Sequence, residues 1–368
     1  MASKKPLRIL MLNYEFPPLG GGASPVSYEI AKGYVKLGHK VDVVTMHYKG
    51  LSKFEIKDGI NIHRVGCLRS KKEMCTTPEM LSYVLSAKYF LNKHLRAHSY
   101  DINHTHFIIP TGIVALWAKK KFGLPYIITS HGSDVLGYNK RFDRIYPLLS
   151  KKWKEIIKEA KVLTTPSKFL QDEITRQTKE GRFVVIPNGI DPGKFKGLKK
   201  EKKILVVARL FPNKGVQDIL DALKGLDMKG WTVDIVGDGP YRKFLENKAR
   251  ENGLKKVLKF HGWLDNNSAE MKSLYGHASI FISASYFESF GLTVLEAMQA
   301  NCYIIVSDVP GHRSLGLYEE NYFTPKHITQ LSRRIYNLAM GNRKSRLSKL
   351  DKDLFWKTII NKYNRVIL

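Results

Sequence analysis

The chain has 368 residues, of which 43% are hydrophobic and 26% charged, and its 61 Lys and Arg outnumber its 33 Asp and Glu. This length suits two domains, and the composition is that of a globular rather than a disordered protein. No stretch has the roughly 18 uninterrupted apolar residues of a membrane span. The net charge of +28 predicts attraction to polyanions. Because zinc-finger, RNP-like and basic-zipper patterns are all missing, specific nucleic-acid recognition is not expected.

The cysteine pattern and the N-terminus indicate a cellular compartment. Cys67, Cys75 and Cys302 make an odd set with no CxxC or metal-binding spacing. The N-terminus runs directly into the strand-like Leu7–Leu12 and lacks the apolar core and cleavage site of a signal peptide. We therefore expect reduced thiols and a cytoplasmic protein.

The first half of the chain alternates short β-rich runs with helical stretches. A helix is expected over Val26–Leu37, and the β-rich runs are Arg8–Asn13, Lys40–Thr45, Ile102–His106, Tyr126–Ser130, Val162–Thr165 and Phe183–Pro187. Such alternation predicts a parallel sheet covered by helices on both faces.

The second half restarts this pattern after the turn-rich segment Pro187–Gly193 and the charged segment Lys199–Lys203. Its β-rich runs are Lys203–Ala208, Thr232–Val236, Val257–His261, Ile280–Ser283 and Tyr303–Ser307. We predict an α/β protein with two Rossmann-like, doubly wound parallel-sheet domains, 1–192 and 199–352, that face an interdomain cleft.

Glu288 and Glu296 flank the seven residues Ser-Phe-Gly-Leu-Thr-Val-Leu. Leu292–Met298 has no helix breaker, so Phe290 and Gly291 are expected at a helix N-terminus, where backbone N–H groups and the helix dipole suit a phosphate. In a fully helical segment the two Glu would be roughly 12 Å apart. Since each carboxylate accepts two hydroxyl hydrogen bonds, the segment has the groups needed to hold a nucleotide sugar along its length. A loop charge and a helix-surface charge are the alternative.

Two cations, Arg209 and Lys214, follow the first strand of the second half in the segment Ala208–Gly215. Two positive charges in one strand-to-helix loop can neutralise a diphosphate leaving group as the sugar bond breaks. The alternative is a pair of solvated loop charges in a lysine-rich protein.

Glycine loops and histidines complete the set of candidate residues. Gly20-Gly21-Gly22 follows the first strand, and a second strand-end turn contains Gly239. His131 ends a strand, where it can contact a ligand or serve as a structural histidine. Two weaker metal patterns are not expected to bind metal. The strand pair His104/His106 has no matching third ligand and is typical of packed strand histidines, and the D-x-D of Asp351–Asp353 lies in a polar C-terminal stretch.

These motifs resemble the retaining family-4-type glycosyltransferases of the GT-B fold, also described as glycosyl transferases group 1. The resemblance rests on the E-x7-E segment, the R-x4-K-G pattern of Arg209–Gly215, the Glu15-Phe-Pro-Pro18 preface to the glycines and the place of His131, and it spans nearly the whole chain. It implies a metal-free retaining transfer from a nucleoside-diphosphate sugar, with no other cofactor. It also implies a C-terminal helix, about 353–368, that crosses back to the first domain.

The resemblance assigns a role to each candidate residue. Glu288 would contact the donor sugar, Glu296 the ribose, and Arg209 with Lys214 the diphosphate. The remaining residues would bind as follows: Phe290, Gly291 and Leu292 the phosphate charge; Gly21 and Gly22 the acceptor and donor diphosphate; Gly239 the nucleotide side; and His131 the transferred sugar. The chain departs from the family pattern after Gly311, where a second glycine and a glutamate are replaced by His312 and a run without an acid until Glu319.

The acceptor and the cellular site are predicted from charge. A lipid-linked or phosphorylated acceptor, met at an anionic membrane surface, suits the basic chain. Residues 147–160 have a basic amphipathic pattern that can dock on a bilayer or form an ordinary domain helix. Two other functions remain open at this point: a GT-B-like sugar-nucleotide epimerase, and a basic polyanion-binding protein without catalysis.

Overall fold

The computed structural model describes residues 5–72, 74–137, 146–227, 229–341 and 347–368. The chain divides into two compact units, one comprising Met1–Gly189 with Asp353–Leu368 and the other Ile190–Lys352. Each unit is built on a single sheet with helices packed around it. The first unit therefore takes its residues from both ends of the chain.

The first unit contains an eight-stranded sheet. Its strands are β1 (Arg8–Leu12), β2 (Lys40–Met46), β3 (Phe54–Lys57), β4 (Ile60–Val65), β5 (Ile102–His106), β6 (Tyr126–Thr129), β7 (Leu163–Thr165) and β8 (Phe183–Val185). They lie in the order β3-β4-β2-β1-β5-β6-β7-β8, and all neighbours are parallel except β3 and β4. The helices of the first unit that precede Gly189 are α1 (Ala23–Lys36), α2 (Thr77–Ala97), α3 (Thr111–Phe122), α4 (Tyr146–Glu159) and α5 (Lys168–Thr175).

The second unit contains a fully parallel six-stranded sheet. Its strands are β9 (Glu201–Val207), β10 (Thr232–Val236), β11 (Leu258–Gly262), β12 (Ala278–Ser283), β13 (Tyr303–Ser307) and β14 (Tyr322–Phe323), in the order β11-β10-β9-β12-β13-β14. Its helices are α6 (Val216–Leu223), α7 (Arg242–Glu251), α8 (Ala269–His277), α9 (Leu292–Gln299), α10 (Pro310–Arg313) and α11 (Ile328–Ala339). Short 3₁₀ turns cover Pro212–Lys214 and Glu319–Asn321.

The last helix of the chain, α12 (Trp356–Ile367), belongs to the first unit and follows a 3₁₀ turn at Lys352–Leu354. Its apolar residues recur every three or four positions, as expected of a helix that buries one face: Trp356, Ile359, Ile360, Tyr363 and Ile367. α12 packs on α1 so closely that a Cβ added to Gly33 would lie 2.4 Å from the Ile360 side chain. A glycine at this position of α1 therefore makes room for α12.

α4 is an ordinary domain helix rather than a helix whose apolar face is free to dock on a bilayer. Trp153, Ile156 and Ile157 lie in the core of the first unit, and the Trp153 Nε1–H donates to the Asp134 carbonyl at 3.0 Å. Among the described side chains of α4, the exposed apolar ones are Pro147 and Leu148, in its first turn. Within the described residues, no helix has the length and hydropathy needed to cross a membrane.

Candidate active site

The loop after β9 presents the two predicted cations. Arg209 is exposed, and its guanidinium lies 5.6 Å from the centre of the Phe211 ring; among the described residues it has no ion-pair partner. Lys214 ends the 3₁₀ turn, and Gly215, with φ +65°, is the N-cap of α6. A Cβ on Gly215 would lie 2.0 Å from the Ala284 carbonyl oxygen, so the backbone beside Lys214 is pressed against the end of β12.

The Gly237–Gly239 turn packs directly on the same loop. A Cβ on Gly237 would lie 1.9 Å from the Ala208 carbonyl oxygen, and one on Gly239 would lie 2.3 Å from that of Leu210. The Leu210 N–H donates to the Asp238 carbonyl at 2.9 Å. The two glycines thus let the strand-end turn that contains Gly239 lie beside Arg209.

Glu288 forms an ion pair with Lys214 in the segment between β12 and α9. Its Oε1 also accepts a hydrogen bond from Ser285 Oγ at 2.9 Å, and its side chain is about one-fifth exposed. Burial acts to raise the pKa of Glu288, but Lys214, His312 and Ser285 outweigh it and hold the pKa below its ordinary value. Glu288 is therefore ionised at neutral pH, and the structure joins it to a cation 74 residues away.

The second glutamate lies on α9. Gly291, with φ +98°, is the N-cap, and Glu296 is the fifth residue of the helix. The Asn266 amide donates to Glu296 Oε1 at 2.8 Å, and the Tyr275 hydroxyl donates to Oε2 at 2.7 Å. Burial raises the pKa of Glu296 although both hydrogen bonds favour the charged form. Phe290 is buried at the same N-terminus, just before Leu292, so the backbone of this turn is fixed by packing.

His312 is a candidate residue that the sequence did not reveal as one. It is fully buried; its Nδ1 lies 2.8 Å from the Ser307 carbonyl and its Nε2 lies 3.3 Å from Ser283 Oγ. A Cβ on Gly291 would lie 3.2 Å from the imidazole, and one on Gly311 would lie 2.1 Å from the Glu288 carbonyl oxygen. The Gly311-His312 pair therefore supports both Glu288 and the start of α9. Its signal in the sequence was the departure after Pro310-Gly311.

The segment where the chain departs from the family pattern is held by an arginine. Arg313 binds Asp308 through two hydrogen bonds of 2.6 and 2.7 Å, pairs with Glu319, and lies 3.9 Å above the Tyr322 ring. This arrangement ties the segment after β13 to Asp308 and Glu319.

In the first unit, the glycine loop is organised by Glu15. Gly20 has φ +94°, and a Cβ there would lie 2.5 Å from the Glu15 side chain. The Gly21 N–H faces Glu15 Oε2 at 3.5 Å, and Arg69 lies 3.8 Å from the other carboxylate oxygen. Gly22 follows as the N-cap of α1. Gly21 and Gly22 thus form a tight turn against the Glu15 carboxylate.

His131 lies at the carboxyl end of β6 and is partly exposed. Its Nε2 is 3.0 Å from His106 Nδ1, and its ring packs on Phe107, which in turn packs on Tyr14. Burial lowers the pKa of His131 to about 3, so the imidazole is neutral at physiological pH. The backbone N–H groups of His131 and Gly132 both donate to the Asp134 carboxylate, which holds the loop in place.

The strand histidines are part of the core of the first unit. His104 uses both ring nitrogens, at 3.0 Å from the Tyr34 hydroxyl and 2.8 Å from Thr129 Oγ1. His106 stacks on His104 with ring centres 4.6 Å apart. Burial lowers the pKa of both. Among the residues the structure describes, no cluster of three or more His, Cys, Asp or Glu could hold a metal ion.

Comparisons with known proteins identify the family. The sequence profile of Glycosyltransferase Family 4 matches residues 20–194, and that of Glycosyl transferases group 1 matches residues 191–348. The chain belongs to the family-4-type glycosyltransferases. This glycosyltransferase is 28% identical to an uncharacterized glycosyltransferase of Methanocaldococcus jannaschii, over 86% of this chain and 84% of the relative. It is 27% identical to the alpha-monoglucosyldiacylglycerol synthase of Acholeplasma laidlawii, over 82% and 80%.

Solved structures agree on the fold of this glycosyltransferase. The Anabaena protein HepE, solved with UDP and glucose, superposes with a TM-score of 0.72 at 19% identity and covers 98% of this chain and 99% of its own. The two α/β units of the present chain therefore have the GT-B fold, as the motifs predicted. The predicted transferase activity is confirmed at the level of the family.

Proposed function

We propose that this glycosyltransferase moves a hexose from a nucleoside-diphosphate sugar to an acceptor hydroxyl, with retention of configuration and without a metal. The observation that carries the proposal is the ion pair between Lys214 and Glu288 at the start of α9, with Glu296 on the same helix. Along the chain, a carboxylate for sugar hydroxyls (Glu288, paired with a cation for phosphate) comes first, then the N-terminus of α9, then a second carboxylate for a ribose (Glu296). Sugar, diphosphate and ribose follow one another in the same order in a nucleotide sugar.

Each group of the donor has a proposed partner. Glu296 binds the ribose hydroxyls, Arg209 and Lys214 bind the diphosphate, and Glu288 binds hydroxyls of the transferred sugar. The N-terminus of α9, at Phe290, Gly291 and Leu292, shares the phosphate charge because the first N–H groups of a helix have no partner within it. Gly239 borders the nucleotide, and the first unit contributes Gly21, Gly22 and the neutral His131 to acceptor and sugar binding.

The chemical step follows from these charges. The bond between the anomeric carbon and the phosphate oxygen breaks, and the negative charge that develops on the diphosphate is neutralised by Arg209 and Lys214. The acceptor oxygen forms its bond to the anomeric carbon on the same face, and its proton passes to the departing phosphate oxygen. This front-face route gives retention without the covalent glycosyl intermediate that a double displacement would need.

The acceptor is proposed to be a lipid-linked or phosphorylated glycan, met by a cytoplasmic protein at an anionic membrane surface. Two observations support this proposal: the net charge of +28, and the similarity to a relative named for glycolipid synthesis. The UDP found with HepE makes a UDP-sugar the first donor to test.

A thermal-shift panel of UDP-, GDP- and ADP-sugars tests the donor site. A ligand at about 100 times its dissociation constant stabilises the protein by about 2.7 kcal/mol, so one of the three should raise the melting temperature. We expect Glu296→Ala to abolish that rise. Glu251→Ala, which removes an exposed glutamate at the end of α7, should retain it. An equal rise in melting temperature in the wild type, Glu296→Ala and Glu251→Ala would exclude Glu296 from the donor site.

Two further measurements test the chemistry. Turnover in excess EDTA should equal turnover with added Mg²⁺, and loss of activity with the chelator would contradict a metal-free step. The anomeric configuration of the product, read by NMR, should match that of the donor. Stabilisation by short nucleic acids, with none of the nucleotide sugars active, would instead favour a polyanion-binding protein.

A further inference from the structure

The outward face of α2 is apolar from its second to its fourth turn. Leu81, Leu85 and Tyr89 follow one another at four-residue intervals, so they lie on one face of the helix. Their side chains are 60%, 62% and 86% exposed. The opposite face packs into the core of the first unit through Tyr83, Val84, Ala87 and Leu91. α2 therefore does not need the outer ridge in order to fold.

A fourth apolar side chain extends this ridge. The Leu68 N–H donates to Ser82 Oγ at 2.9 Å, which places the segment before α2 alongside its second turn. The Leu68 side chain is also mostly exposed. We refer to Leu68, Leu81, Leu85 and Tyr89 as the α2 ridge. A group of large exposed apolar side chains of this kind marks a contact with a partner or a membrane.

Positive charge surrounds the α2 ridge. Between Leu68 and Ala97 the sequence has two glutamates and six cations: Arg69, Lys71, Lys72, Lys88, Lys93 and Arg96. Glu79 is buried, and its carboxylate accepts the N–H groups of Ser70 and Thr76. Among the described residues, Lys88, Lys93 and Arg96 have no ion-pair partner.

We propose that the α2 ridge binds the surface of an anionic membrane. The apolar side chains enter the boundary between headgroups and acyl chains, while the lysines and Arg96 around them bind lipid phosphates. Arg69 does not take part, because its side chain is buried and pairs with Glu15. An amphipathic helix that lies in the interface combines these two features. The proposal deepens the proposed function, on which it rests for its purpose, because it names the surface by which a lipid-linked acceptor would be reached.

The structure favours a membrane over a protein partner, because exposed apolar side chains and unpaired cations share one stretch of α2, Leu81 to Arg96, of about four turns. An anionic bilayer offers phosphates to all these cations and acyl chains to the apolar side chains, whereas a protein partner would need a matching acidic face. α4 is a weaker candidate because its apolar face is buried in the core. The α2 ridge therefore replaces α4 as the predicted membrane contact.

Co-sedimentation of the full chain with vesicles tests the proposal. One set contains phosphatidylcholine with about 30% phosphatidylglycerol, and the other contains phosphatidylcholine alone. We expect binding to the anionic set at low salt, about tenfold weaker binding by the double variant Leu81→Ser/Leu85→Ser, and weakening by high salt. The matched control Leu37→Ser/Ile56→Ser removes two exposed apolar side chains elsewhere in the first unit and should bind as the wild type does.

A local probe distinguishes the α2 ridge from other basic surfaces. In the Tyr89→Trp variant, lipids with brominated acyl chains should quench the added tryptophan. Equal binding by wild type and Leu81→Ser/Leu85→Ser, or no quenching at position 89, would overturn the proposal. Dimerisation of the wild type that this double variant abolishes would overturn it too, since the ridge would then contact a second copy. Donor-induced thermal shifts need no membrane, so a failure here is distinct from a failure of the proposed function.

Discussion

Lys214 and Glu288 neutralise each other in a pair that is mostly shielded from solvent. A donor diphosphate that binds Lys214 must compete with the carboxylate of Glu288 for it. Release of Glu288 from Lys214 would in turn free its oxygens to accept hydrogen bonds from the sugar. Under the proposed function, the contact that holds the two side chains in place would thus couple diphosphate binding to sugar binding.

Glu288→Gln should separate these two roles. Because Lys214 loses its competitor, we expect a free nucleoside diphosphate to bind at least as tightly as it does to the wild type. Turnover should fall by about 10- to 100-fold, since a charge-assisted hydrogen bond contributes about 1.5–3 kcal/mol. Calorimetry and steady-state kinetics measure the two effects, with Glu251→Gln as the control. Diphosphate binding that weakens as much as in Lys214→Ala would contradict the coupling.

Glu296 should cost the second unit stability at neutral pH. Burial raises its pKa in the folded state, so between the ordinary pKa and the raised one the folded protein binds more protons than the unfolded chain. Stability from this residue is therefore greatest at low pH and is lost as the pH rises through the raised pKa. Glu296→Gln should flatten this dependence and keep or raise the melting temperature at pH 7, while donor binding falls. A lower melting temperature for the variant at pH 7, with an unchanged pH profile, would refute this account.

At the scale of elements, the strands were predictable because β-branched residues recur in short buried runs. All the predicted runs are strands, with ends that differ by at most two residues. The hairpin of β3 and β4 was not predicted. β3 is an exposed edge strand of mixed polarity, and the hairpin's turn at Asp58-Gly59, where both residues have positive φ, was its clearest signal.

The candidate site could be predicted only where the motif is local. Glu288 and Glu296 lie within one short segment, so their spacing carried information. The support from His312 could not be predicted, because it depends on Ser283, Ser307 and Gly291 meeting in space after β12 and β13 have paired.

Gly311→Ala tests how α10 positions the β12–α9 segment. The new Cβ would lie 2.1 Å from the Glu288 carbonyl oxygen, so the backbone of Glu288 must move. We expect the free energy of unfolding to fall by about 1–3 kcal/mol and the donor-induced thermal shift to shrink. Gly66→Ala is the control, because nothing lies within 4 Å of a Cβ there. An unchanged donor response in a stably folded Gly311→Ala protein would show that Glu288 tolerates the shift.

At the scale of the whole molecule, the contact between α1 and α12 holds the two ends of the chain in one unit. Gly33→Ala should destabilise that unit by about 1–3 kcal/mol, because its Cβ meets the Ile360 side chain. Ile360→Ala makes room for it, so the double variant should be less destabilised than the sum of the single ones. Denaturant unfolding of the four proteins gives this coupling energy. Strict additivity would mean that the two side chains do not meet.

The return of α12 to the first unit also sets the order in which the protein can be completed during translation. Residues 190–352 are synthesised, and can fold, before α12 leaves the ribosome, although the first unit began to emerge much earlier. Until then, the surface of the first unit that α12 covers, including Gly33 and His104, remains open. A nascent chain that stops anywhere short of α12 therefore lacks a finished first unit, and quality-control proteases would meet that unit in an incomplete form.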